Sequence, residues 1–326
     1  MQDVQHQILS VNGIELSLYS SGPEHGRPVW LLHGFPESWY SWRRQIPALA
    51  AAGFRVLVPE MRGYGQTSAP QAVEEYDLIT LCADIQAAMD ALGQTEACVV
   101  GHDWGAPVAY HLGLLEPERV KALVTLSVPY GGRPRRSPLE LLHKAFENRF
   151  HYMLYFQHPG VAEAELNADI ANSLRRIQFG RGASESFLQD KPADSRLFDG
   201  LGDVPANPPW CSEADFEVYV RTFARGFDGP LNWYRNFDRS WARSADLAGR
   251  QILQPTLFLL GEDDPIGRIE SISQERMPSV IPDLEQHRLA ECGHWTQNEQ
   301  PQAVNALVLD FLARRYPARG DRQRQQ

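Results

Sequence analysis

At 326 residues the chain is long enough for one large domain, or for one domain carrying a sizeable insertion. Its 43% apolar and 22% charged residues are ordinary for a globular protein, and a net charge of −10 argues against a nucleic-acid partner. No apolar run of signal-peptide length opens the chain and none elsewhere reaches transmembrane length, so a cytoplasmic protein without a membrane span is expected.

The first elements read in chain order are a hairpin and a strand. "HQILSVNGIELSLY" carries Asn12-Gly13 between two apolar-rich runs, a type I′ turn signal. "VWLLHG" and "FRVLVPE" follow as short apolar runs of the kind buried on both faces of a sheet. Leu78, Cys82, Ile85, Met89 and Leu92 then recur at alternating spacings of four and three, which is one face of an amphipathic helix. "ACVVGH", "KALVTLSVP" and, much later, "PTLFLLGE" complete the strand-like runs. Strands alternating with helices predict an α/β fold with a mostly parallel, doubly wound sheet. The four cysteines, Cys82, Cys98, Cys211 and Cys292, show no ligand spacing and read as reduced, buried apolar groups.

The alternation breaks after Pro129, where helical and aromatic sequence runs to about Trp241. An all-helical block between two strands predicts an inserted cap over the strand ends, where such sheets bind ligands. The expected division is a first core segment over 1–132, a helical cap over 133–245 and a second core segment over 246–326. The last residues, "ARGDRQRQQ", read as a frayed tail whose RGD triplet is a chance match.

Chemistry enters at "VVGHDWGAPVAY". Glycines at 101 and 105 flank Asp103 between a strand-like run and a helix-like run, the context of a nucleophile elbow. The alternative role for Asp103 is a helix N-cap carboxylate. "GEDDP" and "ECGHWTQ" follow in the order acid then histidine, about thirty residues apart. His294 is therefore the expected base, and Asp264 its orienting acid, with Asp263 as the rival. "LLHGFPES" occupies the place from which an oxyanion-hole amide comes, so the expected donors are the N–H groups of Phe35 and Trp104. The tight turn after Phe35 suits a cis bond to Pro36.

Elbows usually carry serine, and the carboxylate changes the reaction. An ionised carboxylate needs no base to attack a saturated carbon bearing a strained or good leaving group. The product is an ester of Asp103, whose carbonyl then needs an oxyanion hole and a base-activated water. An epoxide oxygen and a halide are the candidate leaving groups.

"HGFPESWYSWRRQIPALAAAGFRVL", "RGYGQTSAP", "GHDWG", "YMLYFQHPGVAEAEL", "GPLNWYRN" and "CGHWTQ" together resemble the soluble epoxide hydrolases of the α/β-hydrolase superfamily. The likeness runs from about Trp30 to Arg315 and includes the cap. It implies two cap tyrosines that donate to the epoxide oxygen, which map to Tyr152 and Tyr234, with Tyr155 as the nearest alternative to Tyr152. It also implies a small apolar epoxide as substrate, water as the second substrate, no cofactor and no metal, in a monomer or homodimer. No counterpart of the phosphatase domain of the vertebrate enzyme is expected. Phe35, Trp104, Met153 and Trp295 are the expected substrate-contacting residues, and Trp39 and Trp42 are further candidates for an apolar pocket with core packing as their alternative. Pro59-Glu60-Met61 departs from the aspartate often found before "RGYG" in relatives, away from the catalytic positions.

Two rival functions carry distinct expectations. A haloalkane dehalogenase would typically place Asn at position 35, and a haloacid enzyme Arg at position 104, where this chain has Phe and Trp. A non-catalytic ligand-binding protein of the same fold would not need a nucleophile, a base and an acid together.

Overall fold

The computed structural model describes residues 4–179 and 191–318. The predicted RGD tail and part of the predicted cap therefore lie outside the described residues. Eight strands form one sheet: β1 (Gln5–Val11), β2 (Ile14–Ser21), β3 (Arg27–Leu32), β4 (Phe54–Pro59), β5 (Ala97–His102), β6 (Val120–Leu126), β7 (Thr256–Gly261) and β8 (Leu284–Leu289). Their order across the sheet is β1-β2-β4-β3-β5-β6-β7-β8. The β1–β2 and β2–β4 pairs are antiparallel and every later pair is parallel. Asn12 and Gly13 both take positive φ, 46° and 75°, as the type I′ turn requires.

The middle strands are mostly apolar because both of their faces are covered. In β5, Ala97 and Val99 join the core on one face, while Cys98 and Val100 join the core on the other. Helices α1 (Gln45–Ala51), α2 (Leu78–Ala91) and α3 (Gly105–Leu115) follow successive strands. Leu81, Cys82, Ile85 and Met89 of α2 pack on the first face with Val108 and Leu112 of α3. Ile46 and Leu49 of α1 pack on the second face with Val304, Val308 and Phe311 from the C-terminal helix Pro301–Arg315. All four cysteines are free and buried.

Between β6 and β7 the described chain is helical. It holds α4 (Pro138–Ala145), α5 (Tyr152–Tyr155), α6 (Val161–Leu166), α7 (Ile170–Gln178), α8 (Glu213–Thr222), α9 (Asp228–Arg235) and α10 (Phe237–Arg243). Aromatic residues from this block, including Tyr152, Phe156, Phe227 and Tyr234, share a hydrophobic core with Phe35 and Trp104. The sequence reading did not include β8. Its "LEQHRL" is mostly exposed because it lies at the sheet edge, so it carries no apolar run. Trp39 and Trp42 serve core packing rather than a pocket with Trp104. Trp39 stacks on Tyr19 at 3.8 Å, and Trp42 is fully buried on the opposite side of the sheet from Trp104.

Candidate active site

Five chain segments leave the carboxyl ends of parallel strands and converge: His33 to Ser38 after β3, Asp103 after β5, Ser127 after β6, Asp264 after β7 and His294 after β8. Asp103 holds a φ of +49°, an unfavourable conformation for a side chain with a Cβ and the one that lifts its carboxylate out of the strand line. The turn is tight enough that a Cβ on Gly101 would collide with the Gly105 carbonyl, and one on Gly105 with the Leu32 carbonyl. A Cβ on Gly34 would collide with the Asp103 carboxylate itself. All three glycines are therefore required by close approach, which is why the two-glycine pattern marks the elbow.

The Phe35 N–H donates to Asp103 Oδ1 at 2.7 Å. On the other side, His294 Nε2 lies 3.5 Å from Asp103 Oδ2. His294 Nδ1 faces Asp264, with Oδ2 at 3.0 Å and Oδ1 at 3.2 Å, and the Ile266 N–H holds Oδ1 at 2.9 Å. Asp264 is the acid that turns inward, whereas Asp263 is exposed. The side chains of Asp103 and His294 retain 15% and 13% exposure and Asp264 none, so only the first two have a side open to a reactant.

The charges set the protonation states. Burial would lower the His294 pKa, but Asp264 and Asp103 together raise it well above its ordinary 6.5. Burial would likewise raise Asp264, yet the His294 charge holds it below its ordinary value. Phe35 is ringed by the aromatic side chains of Phe156, Phe227 and Tyr234, and Trp104 lies edge-on to Tyr234 and stacked on Phe237. Tyr152 and Tyr234, 7% and 4% exposed, meet with ring centroids 6.0 Å apart. Burial first, and the Asp103 charge second, push both phenols well above 10, so they are neutral donors. Tyr155 instead donates to Glu165 at 2.7 Å. Trp295 stands edge-on to His294 with centroids 4.7 Å apart, and Met153 is partly buried against the aromatic core.

Two residues that sequence reasoning left unassigned support this centre from behind. Glu37 Oε2 accepts from the Gly34 N–H at 2.9 Å and from His102 Nδ1 at 2.6 Å, while its Oε1 accepts from Gln297 at 2.8 Å. His102 Nε2 in turn donates to the His294 carbonyl at 2.8 Å, which Ser127 Oγ also reaches at 2.8 Å. Burial opposes ionisation of Glu37, but its His102 and Gly34 partners outweigh it and bring the carboxyl down to about 2. The only sequence signal was position, one residue inside each of two motifs; their pairing across 65 residues is visible only in three dimensions. The bond between Phe35 and Pro36 is cis, as its turn suggested. Among the described residues no group of His, Cys, Asp and Glu has the makings of a metal site, and no helix is long and apolar enough to cross a membrane.

Comparison with known proteins points to one family. Residues 27–301 match the family described as alpha/beta hydrolase fold. The chain is 42% identical over 313 residues to Epoxide hydrolase A of Mycobacterium tuberculosis, covering 94% of this chain and 96% of that protein. It is 41% identical over 309 residues to Bifunctional epoxide hydrolase 2 of Sus scrofa, spanning 94% of this chain but only 54% of that longer protein. The crystal structure of Epoxide Hydrolase A from Mycobacterium thermoresistibile superposes with a TM-score of 0.90 at 42% identity, covering 95% of this chain and 98% of that one.

Proposed function

The chain belongs to the epoxide hydrolases of the alpha/beta hydrolase fold, and on that footing we propose that it turns an epoxide into a vicinal diol through an ester of Asp103. The observation that carries this reading is the division of labour at one carboxylate: an amide donor on Oδ1, a histidine beside Oδ2. Oδ1, engaged by Phe35, is the oxygen that becomes the ester carbonyl. Oδ2 is the oxygen that attacks the epoxide carbon as the C–O bond of the ring breaks. The departing oxygen becomes an alkoxide and takes a proton from Tyr152 or Tyr234, which are buried, neutral and close to Asp103 in the field they feel.

Ester formation also changes His294. It removes the Asp103 charge, one of the two that hold the imidazolium, and so lowers the pKa of His294 at the step that needs a base. With its proton passed to the tyrosinate left by ring opening, neutral His294 then takes a proton from water as that water attacks the ester carbonyl. The Phe35 N–H, joined by the Trp104 N–H that lies beside Gly34, stabilises the oxyanion, and Asp264 steadies the renewed imidazolium. As the acyl C–Oδ2 bond breaks, the former Oδ2 takes the imidazolium proton and leaves in the diol, and the acid proton left on Asp103 passes back to His294, restoring the starting ion pair. The helical block over 133–245 acts in this scheme as a cap, supplying both phenols and excluding bulk water, and the substrate is a small apolar epoxide.

His294→Gln tests the order of events. Ring opening needs no base, whereas ester hydrolysis does. The variant, mixed with an epoxide, is expected to gain the mass of one substrate, with peptide mapping placing it on Asp103. Diol release at the wild-type rate with Asp103 unmodified would refute the reading.

A further inference from the structure

Gln178 ends helix α7 and is 5% exposed. Its side chain crosses from the helical block to the core, where Nε2 donates to the Pro36 carbonyl at 2.6 Å. The preceding residue, Phe35, is the one whose N–H holds Asp103 Oδ1. Gln178 thus lies against the loop that lines the nucleophile. The hydrogen bond also sets the orientation of the amide, because turning it over would press two carbonyl oxygens together. Oε1 consequently points away from Pro36. There it is buried with no donor among the described residues.

A buried acceptor without a donor is unfavourable, and hydrocarbon of similar size, such as Leu, would fill the same volume without that cost. The residue before its anchor, Phe35, turns its side chain into the aromatic group of Phe156, Phe227 and Tyr234 beside Asp103. Anchoring Pro36 accounts for Nε2 but not for Oε1. We propose that Gln178 is a specificity-determining residue whose Oε1 accepts a hydrogen bond from the substrate, so that the preferred epoxides carry a hydrogen-bond donor, a hydroxyl or amide N–H, on a ring substituent. This rests on the epoxide-opening site proposed above and narrows its substrate class from apolar epoxides in general.

The experiment compares kcat/KM for matched pairs in which a terminal hydroxyl replaces a methyl group: glycidol against 1,2-epoxybutane, and the next two homologues of each. In the wild type at least one alcohol is expected to exceed its alkyl partner by about tenfold, since a site with an unfilled acceptor discriminates against a substrate lacking the donor. In Gln178→Leu that ratio is expected to fall by about tenfold or more. The ratio is internal to each preparation, so lost folded protein or a disturbed Pro36 loop does not change it. A wild type without an alcohol preference at any length would overturn the proposal, as would a variant that keeps the wild-type ratio. If neither series is turned over while another epoxide is, this inference is overturned and the chemistry at Asp103 stands; if no epoxide is turned over, that chemistry fails and the inference with it.

Discussion

Asp103 and His294 form a pair whose charges are linked through the reaction. In the free protein two carboxylates flank the imidazole and raise its pKa well above 6.5 despite burial. A raised pKa means the proton is held as pH climbs past the ordinary histidine range, so the free site has an imidazolium, not a base, near neutrality. Esterification leaves only Asp264, and the midpoint must move down. Ester hydrolysis followed by single-turnover quench is therefore expected to speed up with pH along an acid limb. Its midpoint should lie below the His294 midpoint measured by NMR in the free protein. Coincident midpoints, or a rate that falls as pH rises through that range, would show that the Asp103 charge does not control the base. The residue types at this centre were legible in the sequence because Gly-x-Asp-x-Gly and the late aspartate pair each sit at a turn after an apolar run, and Cys-Gly-His follows them in the order nucleophile, acid, histidine. The choice between Asp263 and Asp264 was not, since adjacent residues on a turn differ only in which one faces inward.

Elements position these residues by close backbone approach, and the elbow shows how little room is left. β5 must run into α3 with the Gly105 α-carbon against the Leu32 carbonyl of β3. Gly105→Ala is expected to destabilise the protein by about 1–3 kcal/mol or more, because backbone on the neighbouring strand has to move. Calorimetry on the purified variant checks this, and an unchanged melting temperature would contradict the packing described. The strands most readily read in advance were those buried on both faces, such as β5 and β7. Edge strand β8 was invisible because it is polar, with Gln286, His287 and Arg288 exposed in succession, and its stability comes from pairing with β7. The link between Glu37 and His102 was hidden for a related reason: strand order, not sequence distance, brings β3 and β5 side by side.

At the scale of the whole molecule, the proposed chemistry needs the core, which carries Asp103 and His294, to be held against the helices that carry Tyr152 and Tyr234. Buried polar contacts do this alongside the shared aromatic core. Arg43, 5% exposed, donates to Asn298 on one side and to the Trp210 carbonyl at 2.6 Å and Tyr219 at 3.3 Å on the other, with Asp215 3.4 Å away. Asp77 at the start of α2 takes ion pairs from Arg239 and Arg243 of α10, and Trp233 Nε1 donates to the Arg62 carbonyl. Arg43→Ala is expected to cost about 3 kcal/mol, since it takes the buried donor from Asn298 Oδ1 and the Trp210 carbonyl, while Asp215 keeps Tyr40 and Ser212. The variant should also raise KM, because the phenols lose their register with Asp103. Denaturant unfolding with steady-state kinetics checks both; full stability with wild-type KM would place the hold between core and helices elsewhere. The helical block itself was readable from the loss of strand signal after Pro129. Its cross-links were not, because each joins residues more than 100 positions apart that no local pattern relates.

The central claim is that Asp103, not water, bonds to the substrate carbon. One turnover with enzyme in excess, run in heavy-oxygen water and read by mass spectrometry of the Asp103 peptide and of the diol, tests it directly. Water that attacks the ester carbonyl leaves its oxygen in the Asp103 carboxylate, and the first diol released is unlabelled. Label in that diol with an unlabelled Asp103 would mean that water opens the ring in one step and that Asp103 acts as a base.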